Sequence, residues 1–149
     1  MLINKDLIIL DADYKSKDDA IESIAKVFNK NGNLNDLEGY IKAVKDRENE
    51  ISTNLGDGIG MPHARTNTVN EAGLAFARLK TPISWVGDNA PVRVIFGIAV
   101  PESGGNLHLK ILAQLARHLI YDDFKEKLFN INDEEELLAL IEEATKGVK

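Results

Sequence analysis

Apolar residues recur along this chain with two periods, and the change from one to the other marks out the elements. Leu7, Ile8, Ile9 and Leu10 form a short continuous run suited to a strand. Ser16 then offers a helix cap with Asp18 and Asp19 in the first turn. Ala20, Ile21, Ile24, Ala25, Val27 and Phe28 line one face of the helix that follows, and Asn31-Gly32 stops it. A second helix is expected from near Asn35, where Leu37, Tyr40, Ile41 and Val44 repeat at helical spacing and carry Arg47 to the C-terminal end.

Period shortens in the middle of the chain. Residues 72–79 read as a strand, and residues 92–100 as a longer one, apolar on both faces and therefore central in a sheet. Between them, residues 83–86 form either a short strand or a loop that packs Trp85 on the core, and Gly87-Asp88-Asn89 reads as a turn. Helical spacing then returns: Leu107, Ile111, Leu112, Leu115 and Leu119 mark one helix, Phe124 and Leu128 a short one, and Leu137, Leu138, Leu140 and Ile141 the last. Asn132 is the expected cap of that last helix, ahead of Asp133, Glu134 and Glu135, and residues 145–149 read as a frayed end. The elements interleave without a clean βαβ repeat or an internal period. The fold class expected is α/β: one domain over residues 1–149, with a mixed parallel and antiparallel sheet flanked by helices on both sides.

Composition narrows the function classes. A chain of 149 residues that is 44% hydrophobic is sized for one core. No apolar run approaches the ~20 residues that cross a bilayer, and the N-terminus lacks the pattern of a signal peptide, so a cytoplasmic location without membrane insertion is expected. The absence of cysteine removes disulfides, thiolate nucleophiles and thiolate-bound zinc. A net charge of -6 speaks against nucleic acid as a partner.

The densest chemical signal is Leu55-Gly56-Asp57-Gly58-Ile59-Gly60-Met61-Pro62-His63-Ala64-Arg65. Pro62 restricts the backbone entering His63, and three glycines permit positive φ and close approach of another molecule. Read locally, this is either a flexible glycine-framed loop presenting a reactive histidine or an ordinary connecting turn. A shared metal site is excluded for His108 and His118. They lie ten residues apart on one expected helix, about 15 Å along its axis, whereas zinc holds imidazole nitrogens at about 2 Å. No nucleophile elbow, phosphate loop or dinucleotide fingerprint occurs.

His108 follows Ser103-Gly104-Gly105-Asn106, with Asn106 as an expected cap, which puts it in the first turn of a helix. The helix dipole there favours anions and disfavours protonation of the imidazole; the alternative is a polar residue facing water. A neutral imidazole is a competent nucleophile, and its attack on a phosphoryl donor gives a phosphohistidine that needs nearby cations or donors. Arg47, Arg65 and His108 are available. Arg47 also fits a solvated charged helix end, Arg65 an exposed loop charge, and His118 a structural role.

Two blocks together resemble the IIA domains of the bacterial phosphoenolpyruvate-dependent sugar phosphotransferase system, of the fructose and mannitol type. One is Arg47-Glu48 with Thr53, then Gly58-Ile59-Gly60-Met61-Pro62-His63-Ala64. The other is Phe96-Gly97-Ile98-Ala99-Val100-Pro101-Glu102 followed by His108-Leu109-Lys110-Ile111-Leu112-Ala113-Gln114-Leu115-Ala116-Arg117. Matching tracts run in order over residues 34–128. Gly60-Met61 departs mildly from the family's usual alanine and isoleucine or valine.

The resemblance implies a phosphocarrier, with His63 as the phosphorylated nucleophile, His108 stabilising the phosphate and Arg47 stabilising charge. His63 would accept phosphate from the histidine carrier protein HPr and pass it to a cysteine of a cognate IIB domain, which serves a membrane IIC component. The sugar would be fructose or fructose-like, and no metal or nucleotide cofactor is implied. Two other readings stay open: a regulatory IIA of the nitrogen-related type, whose phosphorylation state controls partners, and a binding module that is never phosphorylated.

Overall fold

The structure, a computed structural model, describes residues 2–85 and 91–147. Its strands are β1 (Ile8–Ala12), β2 (Asn54–Gly56), β3 (Ile59–Gly60), β4 (His63–Thr66), β5 (Gly73–Ser84) and β6 (Pro91–Pro101). Its helices are α1 (Lys17–Lys30), α2 (Leu37–Glu50), α3 (Leu107–Leu119), α4 (Asp122–Asn130) and α5 (Glu134–Ala144), with short 3-10 turns at Lys5–Leu7 and Glu102–Gly104. The expected turn at 87–89 lies outside the described residues, as do Val86 and the last two residues.

The strands form one sheet in the order β1-β5-β6-β3-β2, with β4 also paired to β6. β6 is central: it runs antiparallel to β5, with Phe76 opposite Phe96, and parallel to β3 and β4 on its other edge. β1 is parallel to β5, and β2 antiparallel to β3, so the sheet is mixed as expected. The continuous apolar run of β6 follows from cover on both faces. Ala75 and Gly97 are paired across the strands and share a face, where a Cβ on Gly97 would come within 2.7 Å of Ile24 in α1. Three residues along β5, Arg78 points to the opposite face. It donates there to the carbonyls of Leu128 and Ile131 at 3.0 and 2.7 Å and to Asn132 Oδ1 at 2.5 Å, at the end of α4. α2 leans on α1 through an edge contact of Tyr40 on Phe28 and reaches the sheet through the Tyr40 hydroxyl, which donates to the Ile98 carbonyl at 2.9 Å.

Local differences from expectation each have a physical reason. Residues 5–7 close a 3-10 turn, so the first strand starts at Ile8. α2, expected from near Asn35, begins at Leu37 with Asp36 as its cap, and Asn35 is engaged with the Asn67 carbonyl and the Asn70 side chain. Asp133 caps α5, since Asn132 is turned to Arg78. β5 continues past residue 79 through a register shift to Ser84, and Trp85 beyond it is buried against Gly60. Thr145 is not frayed: it is buried, and its hydroxyl donates to the Ile141 carbonyl at 2.9 Å.

Candidate functional site

The glycines upstream of His63 are used by a hairpin rather than a mobile loop. Gly56, Asp57 and Gly58 all have positive φ and turn β2 into β3, and Asp57 is held by Lys125 of α4 at 2.9 Å. From there the chain follows β6 with constant register: Ile59 opposite Val94, Gly60 opposite Ile95, His63 opposite Ile98. The run is interrupted only at Met61-Pro62. Met61 turns its N–H to the Thr53 carbonyl at 3.0 Å, and Pro62 has no N–H, but its carbonyl accepts from Ile98 at 3.1 Å. His63 therefore opens a parallel strand and is only 5% exposed. The expected flexible loop is replaced by a strand because the β6 ladder continues through the proline.

The ring of His63 has a defined hydrogen-bond polarity. Its Nδ1 lies 2.8 Å from the Met61 carbonyl, which can only accept, so Nδ1 carries the proton and Nε2 keeps its lone pair. Burial lowers the proton affinity of the ring and the Arg47 charge lowers it further. The Met61 carbonyl and the Glu48 charge oppose this, and the net direction is below an ordinary histidine. The neutral ring is thus the form held near pH 7.

Arg47 sits in the last turn of α2 and shares a cavity of about 280 Å³ with His63, walled by Thr53, Leu55, Leu112 and Ala116. Its Nη1 makes a long contact with the Ile51 carbonyl at 3.5 Å. His108 is the second residue of α3. Its proton affinity is lowered by burial first, then by the charges of His63, Arg65 and Arg47, so these basic side chains share one electrostatic neighbourhood. Its Nδ1 is buried without a hydrogen-bond partner among the described residues. Asn106 occupies the cap position of α3, but its side chain makes no capping bond, and the backbone enters through Gly105 at positive φ.

Arg65 is not a loop charge. It lies two residues beyond His63 on β4, hence on the same face, and its Nε donates to the Glu102 carbonyl at 3.0 Å. Period-two spacing from His63 was the signal for it. His118 is structural: Nδ1 meets the Gln114 carbonyl at 2.9 Å and the ring packs on Phe124. Glu48 and Thr53 are both buried beside the site, 5% and 7% exposed. For Glu48 the signal was its spacing, on the apolar face defined by Ile41 and Val44.

Among the described residues, no three His, Asp or Glu side chains stand where they could share a metal ion, and no helix is long and apolar enough to cross a membrane.

Comparison with known proteins identifies the family. A fructose-specific EIIA component of the phosphotransferase system from Haloferax volcanii is 34% identical over 142 residues, covering 95% of this chain and 92% of its own length. A fructose-specific EIIABC component from Bacillus subtilis is 32% identical over 146 residues, covering 97% of this chain, which spans 23% of that longer protein. Among solved structures, the nitrogen regulatory protein IIA-Ntr from Neisseria meningitidis superposes with a TM-score of 0.85 at 29% identity, covering 94% of this chain and 96% of that one. The family model for the phosphoenolpyruvate-dependent sugar phosphotransferase system, EIIA 2, matches residues 1–144, and the chain belongs to that family of phosphotransferase components.

Proposed function

We propose that this protein is a phosphocarrier that takes a phosphoryl group on Nε2 of His63 from phosphorylated HPr and delivers it to a cysteine of a cognate IIB domain, in the cytoplasm. The observation that carries this reading is the Nδ1–H bond from His63 to the Met61 carbonyl, which leaves Nε2 as the nucleophile on the cavity that Arg47 shares. In the step, the Nε2 lone pair forms the new N–P bond while the N–P bond of the donor phosphohistidine breaks, its electron pair returning to the donor ring. Nδ1 keeps its proton throughout, and the Met61 carbonyl stabilises the positive charge that develops on the ring.

Arg47 faces the phosphoryl oxygens, where catalysis consists mainly of positioning and charge stabilisation. His108 supplies a neutral donor. Its buried Nδ1 lacks a partner, and an orphaned N–H costs more than an orphaned acceptor, so the proton resides on Nε2 and is available to a phosphoryl oxygen. Fructose or a fructose-like sugar is supported by the relatives from Haloferax volcanii and Bacillus subtilis.

The likeness to IIA-Ntr supports a second reading, in which the same phosphorylation controls partner proteins and moves no sugar. Incubation with phosphoenolpyruvate, enzyme I and HPr, followed by a fructose-type IIB, separates the two. A transport carrier passes its label to the IIB cysteine, a regulator retains it, and an unlabelled protein is neither.

A further inference from the structure

Glu48 is in an unfavourable place for a carboxylate. It lies in the last turn of α2, where the helix dipole favours cations, and it is 5% exposed. Among the described residues no lysine or arginine forms an ion pair with it. Its partner is Thr53: one carboxylate oxygen accepts the Thr53 backbone N–H at 3.3 Å, and the other accepts the Thr53 hydroxyl. Thr53 in turn uses its carbonyl to accept the Met61 N–H at 3.0 Å, and the Met61 carbonyl accepts from His63 Nδ1 at 2.8 Å.

These four residues form one buried chain of hydrogen bonds that ends on the ring nitrogen opposite the nucleophile. The pairing of β3 and β4 to β6 is interrupted at Met61-Pro62, so the two peptides that flank the Met61 Cα are held from outside the ladder, the one before it by Thr53 through the Met61 N–H and the one after it by His63 through the Met61 carbonyl. Without the Thr53 anchor the torsions at the Met61 Cα can shift and turn the Met61 carbonyl away from the ring, and His63 loses what selects its tautomer. A ring protonated on Nε2 has no lone pair there with which to attack phosphorus.

We infer that Glu48 and Thr53 are positioning residues of this site, acting through the backbone of Met61 to hold His63 as the Nδ1–H tautomer. The inference rests on the phosphocarrier reading for its kinetic consequence, but the tautomer is a property of the unphosphorylated chain. Glu48 also places its negative charge within reach of the ring, which favours the positive charge that phosphorylation develops there.

The test is ring-nitrogen NMR of His63 in the full chain, paired with the initial rate of phosphoryl acceptance from phosphorylated HPr. In the wild-type protein a single Nδ1–H tautomer is expected. Thr53→Val, which deletes the hydroxyl and leaves Glu48 one donor short, should give mixed tautomers and a rate lower by on the order of tenfold or more. Thr53→Ser should restore both. Glu48→Gln, which keeps shape while losing one of the two accepting oxygens, carries the same expectation should Thr53→Val not fold. A wild-type ring that is mixed or Nε2-protonated overturns the inference, as does a folded Thr53→Val that keeps one tautomer, or one that loses it at an unchanged rate. If the wild-type protein takes up no phosphate, the carrier reading fails by itself and the tautomer measurement still decides the relay.

Discussion

Replacing Arg47 with methionine removes the charge while keeping an unbranched side chain at the same place on the cavity wall. A unit charge at about 4 Å from a phosphoryl oxygen contributes ~4 kcal/mol at an effective dielectric near 20. Arg47 is only partly buried at the end of α2, so solvent screening reduces this to about 1–3 kcal/mol. At 1.36 kcal/mol per decade the expected loss in the rate of phosphoryl acceptance is roughly 5- to 150-fold. Arg47→Lys should fall between the two, because the charge stays and the planar fork is lost. A second signature follows from the ring itself. The Arg47 charge lowers the proton affinity of His63, with burial the larger cause, so in Arg47→Met the acidic limb of the rate profile moves to higher pH but not all the way to that of a free imidazole. The assay is rapid-quench transfer from phosphorylated HPr across pH, with thermal melting to confirm the fold. A folded Arg47→Met with wild-type rates and an unmoved acidic limb would refute the role assigned to Arg47.

In the wild-type protein, acceptance should be flat from pH 8 down through about 6.5 and decline only below it, because the reactive form is the neutral ring and its proton affinity is depressed; a decline that begins above pH 7 would contradict this. The same depression adds stability above the unfolded histidine value that is lost as pH falls towards the folded one, so chemical-denaturation midpoints should drop over that window and less so in His63→Gln. His108→Ala should slow delivery to IIB more than acceptance from HPr, and unchanged rates in both steps would remove His108 from the site. Arg78→Met leaves two carbonyls and one side-chain oxygen without their buried donor and should cost roughly 3 kcal/mol in denaturant unfolding. Wild-type stability in that variant would show that α4 is held by other contacts.

The long elements were legible because their period reflects burial. β6 reads as central from its apolar run, and α1, α2 and α3 read from their apolar faces, α1 also from its stop at Asn31-Gly32. β2, β3 and β4 were not legible: they are two to four residues long, and they are strands only because β6 offers its edge in register past a proline. That is a tertiary cause, and the glycines that suggested a mobile loop belong to the hairpin that starts the run. The cap of α5 was misplaced by one residue because Asn132 has a distant partner, Arg78, which local spacing does not contain.

At the site, His63, His108 and Arg47 were all singled out from sequence; the structure sets Arg47 and His63 on one cavity and His108 within the electrostatic reach of both. Arg65 and Glu48 were undervalued for opposite reasons. Arg65 looked like a loop charge because β4 was unread, and Glu48 looked like part of a solvated charge run although it occupies the apolar face of α2. The polarity of the His63 ring was invisible in the sequence, since it depends on where the Met61 carbonyl points.

The central claim is that Nε2 of His63 carries the phosphoryl group. Phosphorus NMR coupled to ring-nitrogen NMR of protein labelled with phosphoenolpyruvate, enzyme I and HPr measures it directly. One acid-labile phosphoryl group bonded to Nε2 of His63, absent from His63→Ala, is the predicted result; a phosphoryl group on Nδ1, on another residue, or persisting in His63→Ala would contradict it.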